Sequence, residues 1–241
     1  MLFIRSLLFN IFLPVWTIIV SVLFFPMALC VSPKTITMIV GRVWSIGMLF
    51  GLRVLCGIKH EIRGKENLPK GSFIIASKHQ SAWETIVFLS IIDYPIYILK
   101  QELLKLPFYG TYLRNMEMIA VDRSGGSSAL KKMLADVKNR LSQNRPVIIF
   151  PEGTRVAVGT TVKYHPGIAL IYQEKDMDFP IIPVALNSGL FWARNAFIKR
   201  PGIITMEYLP AIEKGLDRKD FINKLQYIID TKSDELCNLA K

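Results

Sequence analysis

The sequence predicts an α/β fold: a mixed, mainly parallel sheet flanked by helices, preceded by an N-terminal two-helix membrane hairpin. Three observations carry that expectation. From about residue 70 onward, short runs rich in Ile and Val alternate with segments of helical period, the pattern of strands joined by helices in a parallel sheet. Residues 1–58 contain no Asp or Glu and four basic residues, Arg5, Lys34, Arg42 and Arg53, whereas the rest of the 241-residue chain holds 26 Lys and Arg against 19 Asp and Glu. Apolar residues make up 51% and charged residues 20% of the whole, which excludes a disordered chain and argues against an ordinary, fully soluble enzyme.

The first element is the hairpin. Leu7 to Val31 carries no charge over 25 residues. As a helix it would reach about 37 Å, enough to cross a hydrocarbon core of ~30 Å with tilt. Pro14 and Pro26 interrupt it, and Pro14 is expected to kink it. Thr35 to Ile58 is also apolar but carries Arg42 and Arg53, about three helical turns apart and so on one face, as suits an interfacial helix. Ser32-Pro33-Lys34 is the turn between the two. The first segment is too long for a signal peptide, and a second apolar segment follows it, so a retained anchor is expected. Residues 1–58 form this unit and 59–241 the second domain. The pattern fits a hairpin that spans the bilayer and equally one that lies in one leaflet.

The second domain reads in order as follows. Ser72–Ser77 is a buried strand and Ala82–Ile92 a helix. Ile96–Lys100 is a strand, followed by a helix over 102–113. Glu117–Val121 is a strand, and Ser127–Gln143 a helix with Leu130, Leu134, Val137 and Leu141 on one face. Pro146–Phe150 is a strand, Gly167–Glu174 a helix, Ile181–Asn187 and Ile203–Leu209 strands, and Asp217–Leu239 a helix. No internal repeat or low-complexity stretch is present. Cys30, Cys56 and Cys237 are widely spaced, which argues against a disulfide framework or structural zinc.

Ligands in such sheets sit beyond the carboxyl ends of strands, and three strand ends carry chemistry. After SFIIAS comes His79, with Glu84 five residues on. A carboxylate that holds one ring nitrogen as N–H leaves the other free to accept a proton. Ser81-x-x-Glu84 is equally a capping box, which calls for no chemistry at all. After the strand at 146–150 comes Pro151-Glu152-Gly153-Thr154-Arg155. Gly153 permits unusual backbone angles near a ligand, and Arg155 offers a planar fork suited to phosphate or carboxylate; a plain turn with a solvated arginine is the alternative. The third is Asp122-Arg123-Ser124-Gly125-Gly126, where Arg123 and a helix N-terminus face an anion or simply cap a loop. His60 stands in no motif, and His165, before Pro166-Gly167, reads as a helix cap or a substrate contact.

The net charge of +11 points to an anionic partner: phospholipid headgroups, a phosphorylated substrate or nucleic acid. No nucleic-acid-binding motif is present, and an apolar hairpin would sit oddly with one.

Together these motifs resemble the glycerolipid acyltransferase family, in particular its bacterial 1-acylglycerol-3-phosphate (lysophosphatidate) acyltransferases. The family's His with an acid five residues on is similar to His79 and Glu84, with Glu in place of the usual Asp; the extra methylene lengthens the reach and changes the angle. Its second motif resembles Ile119-Ala120-Val121-Asp122-Arg123. Its FPEGTR motif stands complete at Phe150–Arg155, and its Pro-centred apolar strand resembles Ile181–Ala185. Lys100-Gln101-Glu102-Leu103 is similar to a segment found between the first two motifs. By motif the likeness covers residues 70–190, and by layout the whole chain.

The resemblance implies transfer of a fatty acyl group from acyl-CoA or acyl carrier protein to the sn-2 hydroxyl of lysophosphatidate, giving phosphatidate. His79 would be the base and Glu84 its partner. Lys100, Arg123, Glu152, Gly153, Thr154 and Arg155 would bind or shape the phosphate site. It implies no cofactor and no metal, and an active domain on the cytoplasmic side of the inner membrane, where the basic residues also favour it. Other expectations in the same frame are another acceptor, such as a lyso-ornithine lipid or glycerol 3-phosphate, or an inactive membrane lipid-binding module.

Overall fold

A continuous apolar segment can satisfy its backbone polar groups internally by forming a helix, and the N-terminus does so. In the computed structural model, which describes residues 1–107, 109–122 and 124–240 and the backbone alone at Leu29, α1 runs Leu2–Leu23 and α2 runs Phe25–Cys30. Pro14 lies inside α1, while Pro26 sits in the first turn of α2, where its missing N–H has no intrahelical partner to lose. The turn comes earlier than the sequence suggests. Ser32 Oγ accepts the Thr35 amide at 3.3 Å, and Pro33 already opens the next helix.

That helix is continuous over Pro33–Cys56. It comprises α3 (Pro33–Ile36), a π turn (Thr37–Gly41), α4 (Arg42–Gly51) and a second π turn (Leu52–Cys56). It and α1 are both long and apolar enough to cross a membrane. The two arms run antiparallel in close contact, and Gly47 and Gly51 make that possible. A Cβ at Gly47 would come within 2.3 Å of the Trp16 ring, and one at Gly51 within 2.3 Å of Phe12. Trp16 Nε1 donates to the Trp44 carbonyl and Trp44 Nε1 to Thr17 Oγ1, each at 3.0 Å, so both indole N–H groups are satisfied within the apolar layer.

The second part of the chain alternates strands and helices. In order come β1 (Ile58–Arg63), β2 (Ile74–Ser77), α5 (Trp83–Ile91), β3 (Ile96–Lys100), α6 (Tyr109–Asn115), β4 (Ile119–Val121), α7 (Gly126–Ser142), β5 (Val147–Ile149), α8 (Gly167–Gln173), β6 (Ile181–Leu186), β7 (Gly202–Tyr208) and α9 (Arg218–Leu239). Among the described residues they form a 7-stranded sheet of order β1-β7-β6-β2-β5-β3-β4. Its pairs are parallel except β6 with β7, so the sheet is mixed and mainly parallel. The central strands β2, β5 and β6 are buried at every position, as helices covering both faces require. Each fully buried Ile or Val there contributes ~1.5–3 kcal/mol relative to exposure.

Three details differ from the sequence expectation. β1 was not anticipated: IKHEIR is largely exposed and lies at the sheet edge beside β7, so it carries no buried-strand signature. The helix expected over 102–113 is broken into a 3-10 turn (Gln101–Lys105) and α6. Pro107 disfavours helical geometry at the residue before it, and Leu106 is extended. β4 starts at Ile119 because Glu117 takes a left-handed conformation (φ 56°), held there by the buried Arg145 guanidinium at 2.5 Å.

Adjacent parallel strands β6, β2, β5 and β3 point the same way, so their carboxyl ends open on one edge. Ser188, His79 and the FPEGTR turn follow β6, β2 and β5, and Lys100 is the last residue of β3.

Candidate active site

His79 follows β2 by two residues, and Glu84 lies in the first turn of α5. The Glu84 side chain is fully buried, and its carboxylate collects donors from both sides. At Oε1 it meets His79 Nδ1 at 2.9 Å, the Gln80 amide at 2.7 Å and the Ser81 amide at 2.6 Å; at Oε2 it accepts the Ser188 hydroxyl at 2.8 Å. A carboxylate only accepts, so the His79 proton sits on Nδ1, and the Nε2 lone pair has no partner among the described residues. The imidazole stacks on Phe150, centroids 4.1 Å apart at 20°, which fixes its orientation.

The longer reach of Glu over Asp is thus fully used. The capping and orienting readings of Glu84 hold together, because one oxygen serves both. The cap itself is one residue off the expectation. Ala82 is the N-cap and the Ser81 hydroxyl accepts from Trp83 at 3.2 Å, so the Glu84 half of the box is made and the Ser81 half is shifted.

The FPEGTR turn is tied to the His79 loop at two points. The His79 amide donates to Glu152 Oε2 at 2.7 Å, and the Val156 amide donates to the His79 carbonyl at 2.8 Å. Gly153 adopts φ 64° in this turn, a conformation glycine takes without steric cost. Glu152 does not line the cavity onto which His79 opens. It is buried, with Oε1 2.6 Å from the Lys78 ammonium, which also meets Asp230 Oδ1 at 2.7 Å.

Two carboxylates therefore share one ammonium in a dry setting. Burial pushes the Glu152 carboxyl up to about 7, with Asp230 adding to the rise and Lys78 and the His79 amide opposing it. Burial alone would lower Lys78, but the two carboxylates outweigh it and raise it.

A pH signature follows. Between the ordinary carboxylate value of ~4.3 and about 7, the unfolded chain has released this proton and the folded chain has not. The wild type therefore loses stability as pH rises through that window. Glu152→Gln keeps an acceptor for the His79 amide and removes the titration, so its melting temperature relative to wild type should climb from pH 5 to pH 8. Thermal melts across that range check this; parallel curves for the two proteins would contradict it.

His79 lines a cavity of about 560 Å³ between the hairpin and the sheet domain. The hairpin supplies Thr17, Val20, Val40 and Trp44, and the elements around β3 and α6 supply Leu89, Tyr97, Leu113 and Met116. The strand ends supply His79, Lys100, Gly153, Thr154 and Arg155. Lys100 is exposed; Gly153, Thr154 and Arg155 are half-buried. No carboxylate lines this cavity among the described residues.

The fold thus gathers every expected site residue that it describes except Glu152, which supports the loop from behind. Arg123 lies outside the described residues. His60 stands on β1 with its ring 5.9 Å from Trp83, and His165 is exposed on the loop before α8; neither lines the cavity. Sequence reasoning missed Ser188, although it lies just after β6, where the strand-end rule applies. It also missed Lys78 and Asp230, which no local pattern connects. No group of three or more His, Cys, Asp or Glu side chains able to hold a metal ion occurs among the described residues.

The chain is similar to known proteins. The Acyltransferase family model matches residues 59–187. A Pseudomonas aeruginosa protein named 1-acyl-sn-glycerol-3-phosphate acyltransferase is 37% identical over 169 residues, covering 70% of this chain and 65% of that protein. A Borreliella burgdorferi protein of the same name is 35% identical over 144 residues, covering 58% and 56%. The matched part thus spans less than two thirds of these curated relatives. The crystal structure of the Thermotoga maritima 1-acyl-sn-glycerophosphate acyltransferase, PlsC, superposes with a TM-score of 0.72 at 19% identity, covering 96% of this chain and 94% of that one, which establishes the common fold. With a family match across more than half of its length, centred on the loops that carry His79 and the FPEGTR turn, the chain belongs to the Acyltransferase family.

Proposed function

We propose that this chain transfers a fatty acyl group from a thioester donor, acyl-CoA or acyl carrier protein, to the sn-2 hydroxyl of lysophosphatidate, producing phosphatidate. The observation that carries the reading is the His79–Glu84 pair on the wall of an otherwise largely apolar cavity whose charged lining is cationic. The names of the relatives support the substrate class.

His79 Nε2 takes the proton of the acceptor hydroxyl as its oxygen attacks the thioester carbonyl. The C–S bond breaks, and the departing thiolate receives the proton from the imidazolium. Glu84 holds the ring and offsets its transient positive charge. Arg155 and Lys100 bind the acceptor phosphate through charge-assisted bonds, and Thr154 and Gly153 shape that end. A thioester is already activated, so no covalent enzyme intermediate is required.

The test is acyl transfer by the purified chain in detergent. Lysophosphatidate, a lyso-ornithine lipid and glycerol 3-phosphate are offered in turn, each with both donors. Turnover greatest with lysophosphatidate is the expected result; turnover confined to another acceptor would overturn the acceptor assignment.

In this reading residues 1–58 are the membrane-associated hairpin and 59–241 the acyltransferase unit, with the hairpin lying in the cytoplasmic leaflet of the inner membrane. Two observations support the lying geometry. Outward apolar residues repeat at helical spacing along both arms, as Ile4, Leu7, Ile11, Val15, Ile18 and Val22 and as Ile39, Val43, Ile46, Phe50 and Val54. The domain also bonds the hairpin at both ends. Lys199 meets Ser6 at the start of α1, while Tyr112 Oη donates to the Ser21 carbonyl at 2.7 Å and Asn115 Nδ2 to the Ala28 carbonyl at 2.7 Å near the turn. A helix spanning the bilayer would carry one of those ends to the opposite side.

The expected outcome is that Lys34→Cys, in a Cys30→Ser background, reacts with a membrane-impermeant maleimide from the domain side of sealed vesicles. Reaction only after permeabilisation would show a span.

A further inference from the structure

We propose that Arg194 is a second phosphate-binding arginine of this site and selects acceptors that carry a phosphomonoester. The proposal rests on the acyl-transfer reading for its substrate and on the following geometry for its residue.

Arg194 lines the same cavity as His79, Lys100 and Arg155, yet it comes from a different part of the chain, the loop between the 3-10 turn Ser188–Leu190 and β7. It lies beyond the residues matched by the family model. Its Nη1 donates to the Arg155 carbonyl at 2.9 Å, so the two arginines belong to one constellation. That bond uses one of the five N–H donors of the guanidinium. No carboxylate lines the cavity among the described residues, so an anion is the ligand that Lys100, Arg155 and Arg194 together fit.

The loop is built rather than loose. Phe191 and Trp192 are buried, and Trp192 meets the Phe9 ring of α1 edge-on at 5.4 Å and 84°. The Arg200 amide closes the loop on the Phe191 carbonyl at 2.8 Å. Inside it the buried Lys199 ammonium donates to the carbonyls of Ala196 and Phe197 at 3.3 and 3.0 Å and to the Asn10 side chain. Asn195, the residue after Arg194, takes φ 56° and turns the chain there. The N-terminal hairpin thus clamps the backbone of the loop that presents the exposed Arg194 side chain, and little backbone ordering is left to be done when a ligand binds.

The chemistry selects a class of acceptor. A phosphomonoester carries more negative charge near neutral pH than a phosphodiester, and has three terminal oxygens to distribute over two arginine forks and a lysine. A diester headgroup has two such oxygens, and an uncharged acceptor has none.

The experiment compares the full-length wild type with Arg194→Gln and Arg194→Lys in detergent. It measures equilibrium binding of lysophosphatidate and of the monoacylglycerol with the same acyl chain, with turnover of lysophosphatidate recorded on the same samples. Arg194→Gln is expected to weaken lysophosphatidate binding by ~10-fold or more, the scale of a lost charge-assisted bond, and to leave monoacylglycerol binding unchanged. Arg194→Lys is expected to recover part of the loss. Unchanged lysophosphatidate affinity in the Gln variant overturns the proposal. Equal weakening of both ligands also overturns it, since that marks Arg194 as support for the Arg155 loop alone. Wild-type protein that binds lysophosphatidate through Arg194 without turning it over would refute the acyl-transfer reading while upholding the phosphate contact.

Discussion

Replacing His79 by Ala is expected to cut acyl transfer by at least ~10²-fold, the low end of what a positioned general base supplies. His79 alone among the three histidines faces the cavity, and its Nδ1 is committed to Glu84 at 2.9 Å, so Nε2 is the atom left to receive a proton. The fold should survive the change. Without the ring, Glu84 still accepts the Gln80 and Ser81 amides and the Ser188 hydroxyl, so no buried carboxylate is stranded. Initial rates measured beside melting temperatures separate the two effects. His60→Ala and His165→Ala provide the comparison and should keep the wild-type rate. A His79→Ala enzyme within a few-fold of wild type would remove His79 from the role.

The second large effect is expected from Glu84→Gln. Glutamine presents a carbonyl oxygen where Oε1 now collects the Gln80 and Ser81 amides, and its NH₂ group can donate to the Ser188 hydroxyl oxygen. The local hydrogen bonds persist in number, so melting should change little. The negative charge is lost, and with it the stabilisation of the imidazolium formed in the transition state. A fall in kcat of ~10²-fold or more is expected, on the scale of general-base assistance itself, with KM little changed because the acceptor phosphate is held elsewhere. Loss of rate together with a large drop in melting temperature would show instead that capping α5 is the whole role of Glu84. Glu84→Asp probes reach: the side chain is shorter by one methylene, and a partial loss is expected as the 2.9 Å contact stretches.

How much of this was legible in the sequence depends on how local the signal is. The central strands announced themselves, because a strand covered on both faces must be apolar throughout. The FPEGTR turn and the His79–Glu84 spacing were visible for the same reason: each is a few consecutive residues at the end of such a strand. β1 was invisible because an edge strand has little to bury, and IKHEIR is held by pairing with β7, nearly 150 residues away. The contacts of Glu152 were hidden for a related reason. Its direction is set by Lys78 and by Asp230 on α9, and spacing within the motif carries no trace of either. Arg194 escaped notice likewise, since only folding brings its loop beside Arg155. The hairpin was readable as apolar helices, but its lie along the domain depends on bonds such as Tyr112 to Ser21 that composition does not encode.

The most direct test of the account is to follow conversion of lysophosphatidate to phosphatidate by purified wild-type and His79→Ala protein in the same detergent, with lysophosphatidate binding measured on both. The account predicts turnover by the wild type, with the new ester at the sn-2 oxygen, and its loss in a variant that still binds the acceptor. Turnover that persists in the variant, or wild-type protein that binds lysophosphatidate and acylates nothing, would contradict it.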